Sequence, residues 1–370
     1  MTDVIVRKAT YDYENLKPII FEMMDAISNG LIQKQRRVLI KPNLLSPAKP
    51  EKAIQTHPLV VKAVAEYVIS KGAHPRICDS PGLGSFDRVL KEGGFKTAFK
   101  DLNAEFRPFT EIVQKDIGEP FGRIAIAREA VEADVVINLA KLKTHTQMLL
   151  TLGIKNLFGC IVGLKKTEWH MRSGVNRKMF ARLLVQICQA VKPTVTLVDG
   201  ILAMEGQGPG KRGKPRYLGV LVGSSDTPAA DWAICRMLGI DPDSLPTLKA
   251  ARELGLLNGS IRISGDIIRI DHFELPVLGP LTFGPRLFRK FLRKHLVQRP
   301  VVDQNDCQFC GECWQYCPAK AITPYANIIG FDYDRCIRCY CCVEICPHGA
   351  LEAKETLPGK VIRKISRLNN

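Results

Sequence analysis

No stretch of this 370-residue chain holds the roughly 20 consecutive apolar residues that a membrane-crossing helix needs, so no span is expected. Met1 to Lys8 lacks a basic segment followed by an apolar core, so no secretory leader is expected and the cytoplasm is the expected compartment. The common nucleotide and hydrolase fingerprints are missing as well. Gly82-x-Gly84 meets Asp87 where a dinucleotide-binding loop needs its third glycine. Gly206 to Lys211 is one residue short of a phosphate-binding loop and runs into Arg212 instead of Ser or Thr. It is expected to be a flexible loop. No Gly-x-Ser-x-Gly elbow occurs. No two histidines fall at helical ligand spacing, which weakens a His-based metal site. Acid is short too: 37 Asp and Glu face 53 Lys and Arg, a net charge of +16. Such a surface suits an acidic redox partner, an anionic substrate or an anionic membrane. No motif supports sequence-specific nucleic-acid binding.

Cysteine is what the chain has in plenty, and it is concentrated. Cys307-x-x-Cys310-x-x-Cys313-x-x-x-Cys317-Pro318 is repeated as Cys336-x-x-Cys339-x-x-Cys342-x-x-x-Cys346-Pro347. In this two-cluster spacing the fourth cysteine of each run ligates the other cluster. One [4Fe–4S] cluster is therefore assigned to Cys307, Cys310, Cys313 and Cys346, and the other to Cys317, Cys336, Cys339 and Cys342. Zinc sites use paired Cys-x-x-Cys hooks instead, and disulfides need an oxidising compartment. Ala321-Ile322 and Ala350-Leu351 follow the two runs alike, placing an apolar residue against each cluster. Trp314, Tyr316 and Tyr340 add an aromatic surround. Cys341 falls outside the pattern and is expected to be no ligand, and Cys78 and Cys188 lie in apolar runs as small hydrophobes. The stretch resembles the ferredoxin-type domain of the two-cluster class, a small α+β unit.

Upstream, short apolar runs such as Val38-Leu39-Ile40, Arg76 to Asp79, Val135-Val136-Ile137, Thr194 to Val198 and Leu218 to Val222 alternate with helical patterns. This predicts an α/β fold, a largely parallel sheet with helices on both faces. Helices are expected over Tyr13 to Ile32, from His57-Pro58 through Ser70, from Phe86, and over Asp231 to Leu238. Residues 260–275 alternate around Gly265-Asp266 and predict a hairpin at the sheet edge. The expected divisions are an α/β domain over 1–280, a basic amphipathic linker over 281–300, the two-cluster domain over 301–357 and a basic tail over 358–370. Both basic stretches could lie on an anionic membrane, although a linker helix docked on its own domain is the expected form.

In open α/β sheets ligands bind at the carboxyl ends of the strands, where this chain is polar. Lys41, Asn43, Lys155 and Asp199 are the candidate binding residues, with Lys141 nearby. His145, Lys143 and Asp79 are the candidate catalytic residues, His145 moving protons. His57 and His170 are further titratable candidates, and 164–172 is expected to be a charged, aromatic lid.

Val38-Leu-Ile-Lys-Pro-Asn-Leu-Leu45, Ile137-Asn-Leu-Ala-Lys-Leu-Lys-Thr-His145 and Gly153-Ile-Lys-Asn-Leu-Phe-Gly159 resemble the family called domain of unknown function 362. Its members are often fused to two-cluster ferredoxin modules. The resemblance covers about residues 1–280, implies an α/β domain, and carries over no catalytic residues. The N-terminal domain of nickel-pincer lactate racemases is similar as a fold analogy alone. The expected function is an iron–sulfur oxidoreductase subunit. It would pass single electrons between an external carrier protein and an anionic small molecule at the strand ends. The alternative is a non-catalytic electron-transfer or cofactor-maturation protein whose α/β domain binds a partner.

Overall fold

The computed structural model describes residues 1–163, 165–173, 176–257, 259–278 and 295–358. Most of the basic linker expected at 281–300 and nearly all of the tail at 358–370 lie outside the described residues. A nine-stranded sheet has the order β11-β1-β10-β9-β7-β2-β3-β4, with β8 paired to β7. Its strands are β1 (Thr2–Lys8), β2 (Arg37–Pro42), β3 (His74–Asp79), β4 (Glu105–Pro108), β7 (Val135–His145), β8 (Leu149–Thr151), β9 (Val195–Gly206), β10 (Gly213–Ser224) and β11 (Ile261–Gly265). A separate hairpin joins β5 (Ile112–Asp116) to β6 (Arg123–Ala127). Pairing is parallel from β9 through β7, β2 and β3 to β4. Antiparallel β10 separates that half from β1.

Period-2 alternation sorts the strand side chains to two cores. Val38, Ile40, Val135 and Ile137 pack under α1 (Tyr13–Ser28) and α2 (Pro58–Ser70). Leu39, Val136 and Val198 face the other way. They pack against α8 (Arg177–Val191), α9 (Thr227–Met237) and α10 (Pro246–Glu253). Shorter helices α3 (Phe86–Glu92), α4 (Phe95–Ala98), α5 (Arg128–Glu132), α6 (Gly153–Asn156) and α7 (Lys165–Ser173) fill the connections. The sheet is thus covered on both faces, as the continuous apolar runs imply. Cys78 and Cys188 are buried in one of these cores. Among the described residues no helix is long and apolar enough to cross a membrane.

Several elements differ from the sequence expectation. Helix α1 stops at Ser28, because Asn29 and Gly30 both turn left-handed. Residues 260–275 form no hairpin: β11 pairs parallel with β1, and Asp266 continues along the same edge, its amide donating to the Val6 carbonyl. Strand β7 does not stop after the apolar run Val135-Val136-Ile137 but continues to His145, and all of it is buried. Its polar side chains are tolerated inside because each finds a partner. Lys141 Nζ lies 2.7 Å from Asp199 Oδ2, and the Tyr11 hydroxyl donates to Asp199 Oδ1 at 2.8 Å. The His57 ring stacks on Tyr11.

The cysteine-rich part pairs β12 (Arg299–Val302) with β15 (Leu351–Lys354) and β13 (Ile322–Tyr325) with β14 (Ile328–Phe331). Helices α11 (Glu312–Gln315) and α12 (Cys341–Ile345) stand at equivalent places in the two repeats. Left-handed residues recur at matching offsets: Phe309 with Arg338, Gly311 with Tyr340, and Lys320 with Gly349. The internal repeat is therefore one of backbone shape as well as of cysteine spacing.

Lys141 and Asp199 are both fully enclosed, so removing one charge strands the other. Asp199→Asn is expected to cost about 3–5 kcal/mol, read as a lowered denaturation midpoint. A loss below 1 kcal/mol would mean that the pair is not held as described.

Candidate functional site

The carboxyl ends of β2, β3 and β7 meet in a network of buried polar groups. Lys41 is fully buried, and its Nζ lies 2.8 Å from Asp79 Oδ1. Asp79 in turn accepts the backbone amides of Leu44 at 2.8 Å and Ser80 at 2.9 Å. Lys143 Nζ donates to Asn43 Oδ1 at 2.7 Å and to the Ile54 carbonyl at 2.6 Å. Asn43 donates to Asn156 Oδ1 at 2.9 Å, and Asn156 donates to Asn138 Oδ1 at 2.8 Å.

Residues 153–159 close this network, and their end glycines have separate steric reasons. A methyl on Gly153 would stand 2.7 Å from Thr227 Cγ2. There the amides of Gly153 and Ile154 donate to the two oxygens of Asp231, at 2.7 and 3.0 Å. Burial pushes the Asp231 carboxyl up to about 7, against the pull of those two amides. A methyl on Gly159 would run into the Asp79 carboxylate and stand 2.5 Å from Lys41 Nζ.

These strand ends open into a cavity of about 260 Å³. Lys41, Asn43, Asp79, Lys143 and Lys155 line it, so the structure brings together five of the residues singled out above. Lys166 and His170 of α7 line another wall. The segment expected as a lid is thus a helix, and His170 is buried against Phe158 and Phe180. The remaining wall comes from the cysteine-rich part: Tyr316, Cys341, Glu344 and Ile345. A larger cavity, of about 550 Å³, lies at the amino ends of β2, β3 and β4. Its Arg37, Arg76 and Arg128 are paired with Asp134, Glu105 and Glu111, as on an ordinary charged surface.

Two expected site residues do not reach the 260 Å³ cavity. Asp199 is held in the pair with Lys141, which itself lies outside it. His145 is fully buried behind Glu344 and is not in the lining. Its Nδ1 accepts the amides of Gln147 and Met148 at 3.1 and 3.2 Å, so that nitrogen carries no proton. The proton sits on Nε2, 2.8 Å from Glu344 Oε1. Both of those atoms are buried and have no other partner among the described residues. Burial holds the imidazole down to about 4 against the pull of Glu344, so it is neutral at pH 7. With both nitrogens engaged, His145 positions Glu344 and does not reach a bound molecule.

Glu344, Tyr316 and Lys166 are the site residues that strand-end reasoning missed, whereas His170 was among the titratable candidates. Lys166 and His170 stood in a segment noted for its charge. Glu344 gave no signal, since it sits between two cysteines of the second run. The two parts also approach closely elsewhere. A methyl on Gly210 would stand 2.7 Å from the Glu344 carbonyl, and Arg212 Nε donates to the Gly349 carbonyl at 2.6 Å. Residues 206–211 are therefore a packed joint, with Gly208 to Gly210 buried, and not the flexible loop expected.

In the cysteine-rich part the thiols ring two separate spaces. Cys307, Cys310, Cys313 and Cys346 line one, and Cys317, Cys336, Cys339 and Cys342 line the other. Among the described residues no three His, Cys, Asp or Glu side chains converge on a single ion. Four thiols around a space match the donor set of a cubane. Cys341 lines neither space and faces the 260 Å³ cavity. Arg338 is fully buried, stacks over Tyr333, and has no hydrogen-bond partner for its guanidinium nitrogens. A buried cation is costly without an anion, and thiolate-ligated clusters carry negative charge.

Gly159→Ala is expected to part Lys41 from Asp79 and to fill the cavity floor, lowering stability by about 1–3 kcal/mol. Thermal denaturation of the cluster-loaded chain checks this, and an unchanged midpoint would contradict the close packing described.

Known proteins resemble two stretches of the chain. The model of the domain of unknown function 362 (DUF362) matches residues 38–236, and that of the 4Fe-4S dicluster domain matches residues 299–347. A thylakoid-associated protein of Synechocystis sp. is 34% identical over 303 residues, 80% of this chain and 94% of that one. The cysteine-rich part is 41% identical over 59 residues to pyruvate synthase subunit PorD of Thermotoga maritima. It is 39% identical over 49 residues to the delta subunit of NADH-dependent phenylglyoxylate dehydrogenase of Aromatoleum evansii. Those matches cover 16% and 13% of this chain, and 60% and 53% of the two subunits. The lactate racemase apoprotein of Thermoanaerobacterium thermosaccharolyticum has a TM-score of 0.42 at 14% identity, over 66% of this chain and 58% of that one. The chain belongs to the DUF362 family, and its dicluster domain makes it an electron-transfer protein with two [4Fe–4S] clusters.

Proposed function

We propose that this chain passes single electrons between an external carrier protein and a small molecule bound in the cavity at the ends of β2, β3 and β7. One observation carries the reading. Cys341 lies between Cys339 and Cys342, Tyr316 precedes Cys317, and both Cys341 and Tyr316 line the same cavity as Lys155 and Asp79. The cluster assigned to Cys317, Cys336, Cys339 and Cys342 thus borders the cavity. Cys310, of the other set, is solvent-exposed and gives the outer cluster its contact with a carrier. Bound clusters supply one-electron chemistry. The chain's own residues then bind and enclose: Lys41, Asn43, Asp79, Lys143 and Lys155 form the floor, and Glu344 and Ile345 the roof. PorD and the delta subunit belong by name to larger oxidoreductases, which supports a protein as the external electron partner. The thylakoid association in the Synechocystis relative's name supports peripheral contact with an anionic membrane by the basic stretches of a cytoplasmic chain.

The non-catalytic alternative separates on one experiment. Anaerobic spectroelectrochemical titration of the cluster-loaded chain is expected to show that a ligand found by metabolite screening shifts the potential of one cluster and leaves the other unmoved. Two unmoved potentials with ligand bound would remove the reading. The assignment of Cys341 is checked by iron and sulfide analysis: Cys341→Ala is expected to retain iron for two [4Fe–4S] clusters. Loss of half the iron would place Cys341 in the ligand set.

A further inference from the structure

The four lysines of the cavity are not equivalent. Lys41 Nζ is taken up by Asp79 Oδ1 and by the Pro42 carbonyl at 2.9 Å. Lys143 is taken up by Asn43 and the Ile54 carbonyl. Both therefore serve the floor. Lys166 donates to the Ser80 carbonyl and keeps two N–H groups for another acceptor. For Lys155, no hydrogen bond or ion pair forms among the described residues. The carboxylate whose field it feels, Glu344, is already engaged by His145. His170, held between Phe158 and Phe180, has an unpartnered Nδ1. Four lysines face two carboxylates, Asp79 and Glu344, across this one space. Among the lining side chains that is a formal excess of two positive charges, which also faces the negative charge of the bordering cluster.

We propose that the cavity is a dianion site, in which Lys155 and Lys166 bind the charge of a small dicarboxylate or phosphate-type ligand and His170 adds a hydrogen bond. This deepens the electron-delivery reading by naming the ligand class for the same cavity. Three physical arguments support it. The first is electrostatic. Burial pulls the ammonium groups of Lys155 and Lys166 down, that of Lys166 to about 8, and a bound anion reverses that penalty. The second is chemical. Burial keeps His170 near 4 and so neutral, which makes it a hydrogen-bond partner and not a third cation. The third is size. About 260 Å³ is below the roughly 300–1,000 Å³ of drug-sized sites, so the ligand is a small metabolite. Charge-assisted hydrogen bonds in such a closed space are the strong kind.

The test is anaerobic calorimetric titration of the full, cluster-loaded chain at pH 7.5 with four probes: inorganic phosphate, succinate, succinamate and succinamide. Phosphate or succinate is expected to bind at least tenfold more tightly than succinamate, and succinamide not at all. Which of the two dianions binds decides between phosphate-type and dicarboxylate ligands. Lys155→Gln is expected to weaken the dianion at least about tenfold, the loss of one charge-assisted contact. Lys178→Gln, on the exposed surface beside Glu253, should leave binding unchanged. Equal affinity across the probes, no binding of either dianion, or full affinity in Lys155→Gln overturns the proposal. If Lys155→Gln does not fold, the probe series on the unaltered chain decides alone. Dianion binding that leaves both cluster potentials unmoved keeps this site and removes electron delivery. A potential shifted by succinamide as strongly as by succinate does the reverse.

Discussion

Glu344 is a carboxylate that a cluster-binding helix carries across a domain boundary, and it needs a buried donor on the other side. Facing it at 2.8 Å is Nε2 of His145, whose tautomer is set by two backbone amides of its own strand end. The contact joins the cysteine-rich part to the carboxyl ends of β2, β3 and β7. Gly210 permits the close approach, since a side chain there would strike the Glu344 carbonyl. Both surfaces line the cavity, the cysteine-rich part through Tyr316, Cys341, Glu344 and Ile345.

The floor follows from the cost of buried charge. An ammonium removed from water must be paired or fully hydrogen-bonded. Lys41, Lys141 and Lys143 each meet this demand inside the protein, through Asp79, through Asp199 with Tyr11, and through Asn43 with the Ile54 carbonyl. Lys155 does not, and it faces open space within the cavity. The contrast among lysines of similar sequence setting is what singles out Lys155 in the proposed site.

Much of this was legible in the sequence. Continuous apolar runs fixed a doubly covered sheet, and the doubled cysteine spacing matched the two rings of thiols cysteine by cysteine. What could not be read was long-range. Strand β7 looked finished after Val135-Val136-Ile137, because Asn138, Lys141 and Lys143 are polar and their partners lie far along the chain. For the same reason Asp199 looked like a pocket residue and His145 like a free base. Alternation at 260–275 implied a hairpin, but a parallel place beside β1 was the available edge. Glu344 was hidden because two cysteine neighbours already explained its segment.

The central claim is that one of two clusters borders the lysine-lined cavity. Anomalous diffraction at the iron edge from crystals of the cluster-loaded chain tests it most directly. One iron site is expected within Cys317, Cys336, Cys339 and Cys342, against the wall formed by Cys341 and Tyr316. The other is expected within Cys307, Cys310, Cys313 and Cys346, toward solvent. Iron bound to Cys341, or two clusters both remote from Lys155, would contradict the account.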